Sequence, residues 1–136
     1  MPTDLIEDAS DDTYLLDIKD ITLTPAFPEP GKELRIDLTG RLKAEVDLTQ
    51  VQVQVQVKLG LVTLLRESRL LPDLLATWGA KLSGDSKPPA GEWKQSWTFQ
   101  MPKEIPKGDF RIYFTSYAED DSDFADLKAR VDFRKR

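Results

Sequence analysis

The chain has 136 residues, of which 40% are hydrophobic and 32% charged; its formal net charge is −5 at pH 7, and it contains neither cysteine nor histidine. This length and composition predict one soluble globular domain. The acidic balance without a basic face argues against a nucleic-acid partner. The lack of cysteine and histidine excludes disulfides, zinc held by these residues, and catalysis by a Ser–His–Asp or Cys–His set. No apolar run is long enough to span a membrane.

The chain begins with an acidic segment and a first strand. Residues 1–13 are polar and acidic and are expected to form a flexible arm in front of a single domain at 14–136. In the stretch LLDIKDITLT (15–24), apolar residues alternate with polar ones, which is typical of a strand with one buried face. The alternation slips once between Ile18 and Ile21, as it does at a β-bulge.

Three further strands are predicted in the first half of the chain. LRIDLTGRL (34–42) alternates cleanly, and its Gly40 indicates a bulge or a close approach of another chain segment. VQVQVQV (51–57) places its valines on one face and its glutamines on the other. After Gly60, the segment LVTLLRESRLL (61–71) is apolar on both sides in its first half. It is therefore expected to need apolar cover on both faces.

A short helical turn is predicted after the fourth strand. The stretch PDLLATWGA (72–80) has proline and aspartate where a first turn would begin, and a glycine where the turn would end. Leu74, Leu75 and Trp78 follow near-helical spacing. They are expected either to cover the preceding strand or to form the rim of an opening.

The last third of the chain predicts three more strands separated by turn signals. They fall in EWKQSWTFQM (92–101), FRIYFTSYAE (110–119) and FADLKARVDF (124–133), each with apolar and polar residues in alternation. Seven strands without helix–strand alternation indicate an all-β fold, an antiparallel two-sheet sandwich of immunoglobulin-like size. The acidic run EDDSDFAD (119–126) is interpreted as a solvated turn, with a calcium site as the alternative.

The inward faces of these strands leave two interpretations open. They are dominated by Leu, Ile, Val, Phe and Trp, and such faces form a filled core in most sandwiches. If the sheets separate near the doubly apolar segment, the interior becomes a pocket for an apolar ligand, since such pockets are mostly hydrophobic with few polar groups. Trp93 and Trp97 share a face and are interpreted as core aromatics, with ligand stacking as the alternative.

Several segments of the chain resemble the lipid-recognition (ML) domain family. They are PEPGKELRIDLTGRL, VKLGLVTLLRE and MPKEIPKGDFRIYFTSYAEDD, and the similarity extends from about Asp17 to Phe133. The chain is most similar to the fungal phosphatidylglycerol/phosphatidylinositol transfer proteins, relatives of the Niemann–Pick sterol carriers. The resemblance implies an immunoglobulin-like sandwich whose sheets part to hold one lipid, and it implies no catalysis.

Carried over to this chain, the resemblance implies a ligand cavity between the two sheets, with no cofactor and no metal. Inward residues of the matching strands would line the cavity, and the helical segment would lie near its opening. The cavity residues implied are Ile36, Leu38, Val53, Val55, Val57, Leu64, Leu74, Leu75, Trp78, Trp97, Phe99, Ile112 and Phe114. Lys81, Lys87 and Lys107 are expected to meet an anionic headgroup.

The chain departs from the family in its lack of disulfides. Family members usually carry several, whereas Pro72, the neighbourhood of Ser86, and Ala125 stand near positions where cysteines are expected, and none lies near Tyr14. Each missing disulfide would forfeit roughly 2–4 kcal/mol. With no cysteine and no visible signal peptide, the protein is expected to be cytoplasmic. The alternative is the secreted or vacuolar-lumen location usual for the family.

Together these features predict a non-enzymatic protein that binds and transfers a lipid or similar apolar small molecule, with transient membrane contact. The alternative is a filled sandwich that binds a protein partner through a strand edge or through the glutamine face of residues 52–56. A third hypothesis, catalysis on a bound intermediate, requires inward carboxylates with raised pKa values.

Overall fold

In its described part, the chain folds into eight strands, one 3₁₀ turn and one α-helix. The computed structural model describes residues 5–82 and 84–133. The strands are β1 (Ile6–Asp8), β2 (Leu16–Thr24), β3 (Glu33–Leu42), β4 (Gln52–Leu59), β5 (Val62–Leu70), β6 (Gly91–Gln100), β7 (Asp109–Tyr117) and β8 (Asp123–Asp132). The 3₁₀ turn is Leu48–Gln50, and the helix α1 is Leu71–Thr77.

The strands form two antiparallel sheets that pack face to face. The larger sheet has the order β1-β8-β7-β4-β5, and the smaller sheet has the order β2-β3-β6. Each long strand turns one apolar face inward, and burial of those faces against each other joins the two layers. The predicted all-β, immunoglobulin-like antiparallel sandwich is confirmed.

β1 lies inside the segment that was expected to be a flexible arm. It pairs with β8, with Ile6 opposite Ala129. The structure differs here from the arm expected over residues 1–13, because Leu5 and Ile6 are apolar and pack against the core. Residues 1–4 of that arm lie outside the described part of the chain.

A bulge in β2 and a glycine in β3 meet at the position indicated by the sequence. Ile18 pairs with Gly40, and the register then shifts before Asp20 pairs with Thr39. A Cβ added to Gly40 would lie 2.7 Å from the carbonyl oxygen of Asp17. The close approach predicted at Gly40 is confirmed, because a glycine lets two backbones come this near.

Several fully buried side chains lie at the end of the sandwich where β4 and β6 begin. Leu42, Leu48 and Val51 are fully buried there. Trp93 packs edge-to-face on Phe124, with the ring centroids 6.0 Å apart. We call the part of the sandwich defined by these five residues the closed end.

A smaller cluster lies at the opposite end of the sandwich. Phe110, Val131 and Phe133 are buried together. Phe27, from the loop between β2 and β3, packs edge-to-face on Phe133 with the ring centroids 5.7 Å apart. The two clusters leave the middle of the sandwich to be filled by the remaining inward side chains.

α1 carries the chain from β5, one of the two edge strands of the larger sheet, to β6, one of the two edge strands of the smaller sheet. Pro72 lies in its first turn, and Leu74 and Leu75 are buried. The helix ends in the way typical of a glycine cap: Gly79 has φ of +80°, and the Ala80 N–H donates to a carbonyl of the last turn at 2.8 Å. The predicted helical turn is confirmed. No helix in the described part of the chain is both long and apolar enough to cross a bilayer.

Candidate functional site

The inner face of the larger sheet is apolar along β4 and β7. Val55 lies opposite Phe114, and Val57 lies opposite Ile112. Directly opposite residues of antiparallel strands share a face. These four side chains therefore point together toward the smaller sheet.

The smaller sheet presents a similar face along β3 and β6. Ile36 lies opposite Trp97, and Leu34 lies opposite Phe99. These side chains point toward the larger sheet, because the polar residues between them occupy the outer face. The two inner faces thus oppose each other with aromatic and aliphatic side chains on both sides.

The predicted cavity residues fall into two groups by burial. The deeply buried group is Leu38, Val53, Val55, Leu74 and Leu75. The partly buried group, which packs against that core, is Ile36, Val57, Trp78, Trp97, Phe99, Ile112 and Phe114. We call the second group the half-buried band. It draws on both sheets, so the interior is incompletely sealed from solvent along it.

Leu64 is the predicted cavity residue that the structure does not bring into either group. It is 51% exposed, Val62 is 61% exposed and Leu61 is fully exposed. Gly60, with φ of +58°, makes the tight turn between β4 and β5, and the register of this pair shifts just before Lys58. The shift interrupts the two-residue period. Leu61, Val62 and Leu64 therefore form an exposed apolar hairpin tip.

Trp78, the residue after α1, lies between the two sheets. Its ring is edge-on to Phe99 of the smaller sheet, with centroids 5.9 Å apart and an interplanar angle of 75°. It is also edge-on to Phe114 of the larger sheet, at 6.4 Å and 83°. The indole therefore fills part of the gap along the half-buried band.

Gln95 is an inner-face polar residue that the predicted site did not include. It is 2% exposed, and its Oε1 accepts a hydrogen bond from Trp97 Nε1 at 3.1 Å. The alternation of β6 carries the signal for this placement, because Gln95 falls in phase with Trp93 and Trp97. It supplies an amide among aromatic rings in an otherwise apolar interior.

The outer face of the larger sheet carries cations next to the hairpin tip. Lys58 pairs with Arg111 across β4 and β7, and Arg111 pairs with Arg130 across β7 and β8. Asp109 accepts two hydrogen bonds from Arg130, at 3.0 and 2.9 Å, and these hydrogen bonds hold the pKa of its carboxyl below the ordinary value. Arg111 also lies 3.7 Å from this carboxylate, so Asp109 offsets part of the positive charge that borders the apolar tip.

The three lysines predicted to meet a headgroup are not brought together. Lys87 Nζ lies 3.9 Å from a carboxylate oxygen of Asp47. Lys81 borders α1 on the side of the closed end. Lys107 adjoins Gly108, which lies against the last residue of β4 at the opposite end. A single anionic group cannot meet all three.

Two surface concavities lie outside the space between the sheets. The first, of about 440 Å³, is on the outer face of the larger sheet. It is lined by polar residues that include Gln54, Gln56, Arg66, Ser68, Tyr113 and Thr115. The second, of about 490 Å³, runs along α1 past Ala76, Gly79 and Leu82 and is mostly apolar. One side of α1 therefore packs against the core, and another side borders this second concavity.

The acidic run at 119–126 forms a turn. The Asp120 carboxylate accepts a hydrogen bond from the Ser122 N–H at 3.0 Å, and the Ala118 N–H donates to the Ser122 carbonyl at 2.8 Å. Among the residues that the structure describes, no three acidic side chains are placed to hold a metal ion. The run therefore takes the turn conformation that was predicted for it.

The fold and the half-buried band define an antiparallel β-sandwich whose apolar interior is incompletely sealed. The model of the ML domain family matches residues 8–133. The chain belongs to this family.

Curated relatives support this assignment. Over 130 residues, the chain is 32% identical to the phosphatidylglycerol/phosphatidylinositol transfer protein of Cryptococcus neoformans var. neoformans, covering 91% of this chain and 67% of the relative. The protein of the same name from Aspergillus oryzae is 32% identical over 136 residues, with coverage of 98% and 73%. The similarity therefore extends through the whole sandwich.

Solved structures share the architecture. A Niemann-Pick type C2 protein from Japanese carpenter ant superposes with a TM-score of 0.64 at 15% identity, covering 93% of this chain and 97% of that one. Chicken MD-1 complexed with lipid IVa gives a TM-score of 0.57 at 15% identity, with coverage of 94% and 97%. At this level of identity, the likeness is one of fold.

The comparisons contradict the expected cytoplasmic location. Secreted or lumenal locations are those of the family members compared above: the transfer proteins, the Niemann-Pick type C2 protein and MD-1. The expectation rested largely on the absence of cysteine. That absence does not decide the compartment, because a chain without thiols folds alike in reducing and oxidising surroundings.

Proposed function

We propose that the protein binds one phospholipid between its two sheets and transfers it between membranes, without catalysis. The observation that carries the proposal is the half-buried band, in which facing apolar side chains of both sheets are incompletely buried. The relatives named as phosphatidylglycerol/phosphatidylinositol transfer proteins support this ligand class.

The driving force for uptake is the transfer of the ligand's hydrocarbon from water to the space between the sheets. Each buried methylene contributes about 0.8 kcal/mol, so an acyl chain supplies enough free energy to displace packed side chains. The headgroup stays at the surface.

The hairpin tip is proposed as the point of membrane contact. Leu61, Val62 and Leu64 are exposed together, and such a group can enter the boundary between headgroups and acyl chains. Lys58 lies next to the tip on the outer face, and Arg111 lies beside it, 3.7 Å from the Asp109 carboxylate that offsets part of its charge. Basic residues near an anionic membrane surface contribute about 1 kcal/mol each, so the proposed target is a bilayer rich in anionic phospholipid.

The absence of catalysis is supported by the composition of the interior. On the inner faces of β3, β4, β6 and β7, the described polar residues are Gln95 and Ser116. Neither residue supplies the inward carboxylic acid that the catalytic hypothesis requires.

Native mass spectrometry of the purified protein tests the proposal. A stoichiometric adduct that extracts as phospholipid is expected after incubation with vesicles of phosphatidylglycerol or phosphatidylinositol. The same protein is expected to move a pyrene-labelled phosphatidylglycerol from donor to acceptor vesicles. A bare mass near 15.5 kDa after both incubations, with no transfer, would contradict the proposal and favour a filled sandwich with a protein partner.

A further inference from the structure

Trp78 stands between the inner faces of the two sheets, within the half-buried band. Its indole bridges Phe99 of β6 and Phe114 of β7, with ring centroids 5.9 and 6.4 Å away. Edge-to-face contacts of this kind add only a modest stabilisation to an aromatic cluster. A ligand that buries a similar apolar surface against the same rings can compensate for their loss. The side chain is only partly buried, so it closes the gap from the solvent side.

The backbone that carries Trp78 takes part in no strand pairing, and the buried Ala80 anchors the chain two residues further on. Trp78 belongs to neither sheet, and its N–H donates to the Leu75 carbonyl at 3.1 Å within the helix end. The next residue, Gly79, has φ of +80°, and no atom lies within 4 Å of the position that its Cβ would take. Gly79 also lines the apolar concavity of about 490 Å³ that lies along α1. Space for a displaced helix end is therefore present.

α1 itself has a firm attachment that would survive such a movement. Leu74 and Leu75 are buried in the main core, and the Leu71 N–H donates to the Val51 carbonyl at 2.8 Å. These contacts hold the first turns of the helix near the closed end. The motion required is that of the Trp78 side chain and the exposed residues next to it, Ala76, Thr77 and Gly79, not that of the whole helix.

We propose that Trp78 is the plug of the space between the sheets, and that an acyl chain enters by taking the place of its indole between Phe99 and Phe114. The size of residue 78 then sets how readily apolar molecules enter. This inference deepens the proposed function and rests on it for the identity of the natural ligand. The plug itself is a property of the apo sandwich and can be tested without a phospholipid.

The first test uses the apolar dye N-phenyl-1-naphthylamine and the full chain. Trp78→Ala is expected to bind the dye about tenfold more tightly than the parent protein, because an apolar space left by a removed side chain takes up apolar molecules. Trp78→Leu, a milder change in case the alanine variant folds poorly, is expected to fall between them. Phe27→Ala is the matched control, since it removes a half-buried aromatic ring from the other cluster. Equal dye affinity in all folded variants would overturn the plug.

The second test measures transfer of pyrene-labelled phosphatidylglycerol between vesicles. Trp78→Leu is expected to raise the transfer rate several-fold, with Phe27→Ala unchanged. If the dye binds more tightly to both Trp78 variants but neither these variants nor the parent protein transfers phospholipid, the plug is supported and the proposed ligand class is wrong. If the parent protein transfers phospholipid and dye affinity does not depend on residue 78, the proposed function stands and the plug is wrong.

Discussion

The Tyr14 hydroxyl donates a hydrogen bond of 2.8 Å to the Asp126 carboxylate and ties one sheet to the other. Tyr14 precedes β2 of the smaller sheet, and Asp126 lies in β8 of the larger one. At the same side, the Leu15 N–H donates to the Asp123 carbonyl at 2.9 Å. The sheets are joined here by polar bonds, whereas between β5 and β6 the gap is covered by α1. Separation of the sheets is therefore expected to begin on the α1 side.

The hydrogen bond between Tyr14 and Asp126 predicts that Tyr14 loses its proton at a higher pH than an ordinary tyrosine. The hydrogen bond to Asp126 raises the pKa of Tyr14 from 10.0 to about 12. Because the folded-state pKa is the higher one, the protonated hydroxyl stabilises the fold below pH 10, and that contribution is lost as the pH rises toward about 12. The near-ultraviolet absorbance of the three tyrosines is expected to show one late component.

Two variants serve as controls for this titration. Tyr14→Phe is expected to remove the component that titrates at high pH. Asp126→Asn is expected to move that component to lower pH, because the carboxylate that accepts the hydrogen bond of the Tyr14 hydroxyl is gone. A late component that persists in Tyr14→Phe would assign it to another tyrosine and contradict the prediction.

Burial decreases along β4 from Val55 to Val57, so a valine-to-alanine substitution is expected to lower the free energy of unfolding by different amounts at the two positions. Val55→Ala is expected to lower the free energy of unfolding by about 2 kcal/mol, because it empties a fully buried site. Val57→Ala, on the same strand face but in the half-buried band, is expected to cost about half as much. Urea denaturation of lipid-free protein measures both. Equal costs would show that the band is packed as tightly as the deep core.

The hairpin tip predicts a variant that loses membrane binding and keeps its stability. Leu61 is fully exposed, so Leu61→Asp is expected to change the free energy of unfolding by no more than about 0.5 kcal/mol. Its sedimentation with phosphatidylglycerol vesicles is expected to fall several-fold, since a charge cannot enter the apolar boundary. Ala90→Asp adds the same charge at an exposed position just before β6 and controls for net charge. A similar loss in both variants would argue against a membrane-binding tip.

The close backbone approach at Gly40 predicts a stability defect from a single methyl group. Gly40→Ala brings a Cβ to 2.7 Å from the Asp17 carbonyl oxygen, and relief of this overlap requires β2 to shift. A loss of about 1–3 kcal/mol is expected, measured as a lowered Tm. Thr39→Ala, on the opposite face of β3, is expected to change Tm much less. An unchanged Tm for Gly40→Ala would mean that the bulge absorbs the methyl group.

The inner faces of the sandwich could be predicted because side chains alternate strictly along a strand. The sequence pattern places Val53 and Val55 inward, and Phe114 lies opposite Val55 as the same pattern on β7 requires. Gly40 could be predicted because a glycine inside an alternating strand usually marks a bulge or a neighbouring backbone that leaves no room for a side chain. These inferences needed only local geometry.

The remaining features depend on how distant segments meet, which no local pattern contains. The family resemblance implies Leu64 in the cavity, but the register shift between β4 and β5 depends on the pairing of two strands. β1 is too short and too acidic to be predicted as a strand, and its pairing with β8 stabilises it. The position of Trp78 between the sheets follows from where α1 docks, which is a tertiary property.

The uneven packing along β4 also divides one strand into two regimes of amide hydrogen exchange. Amide protons near Val53, beside the deep core, are expected to exchange only when the whole molecule unfolds. Those near Val57, in the half-buried band, are expected to exchange through smaller openings with lower free energy. Cargo loading would then be a sub-global fluctuation of the native state. The closed end would keep the molecule folded while the part of β4 around Val57 opens and closes locally.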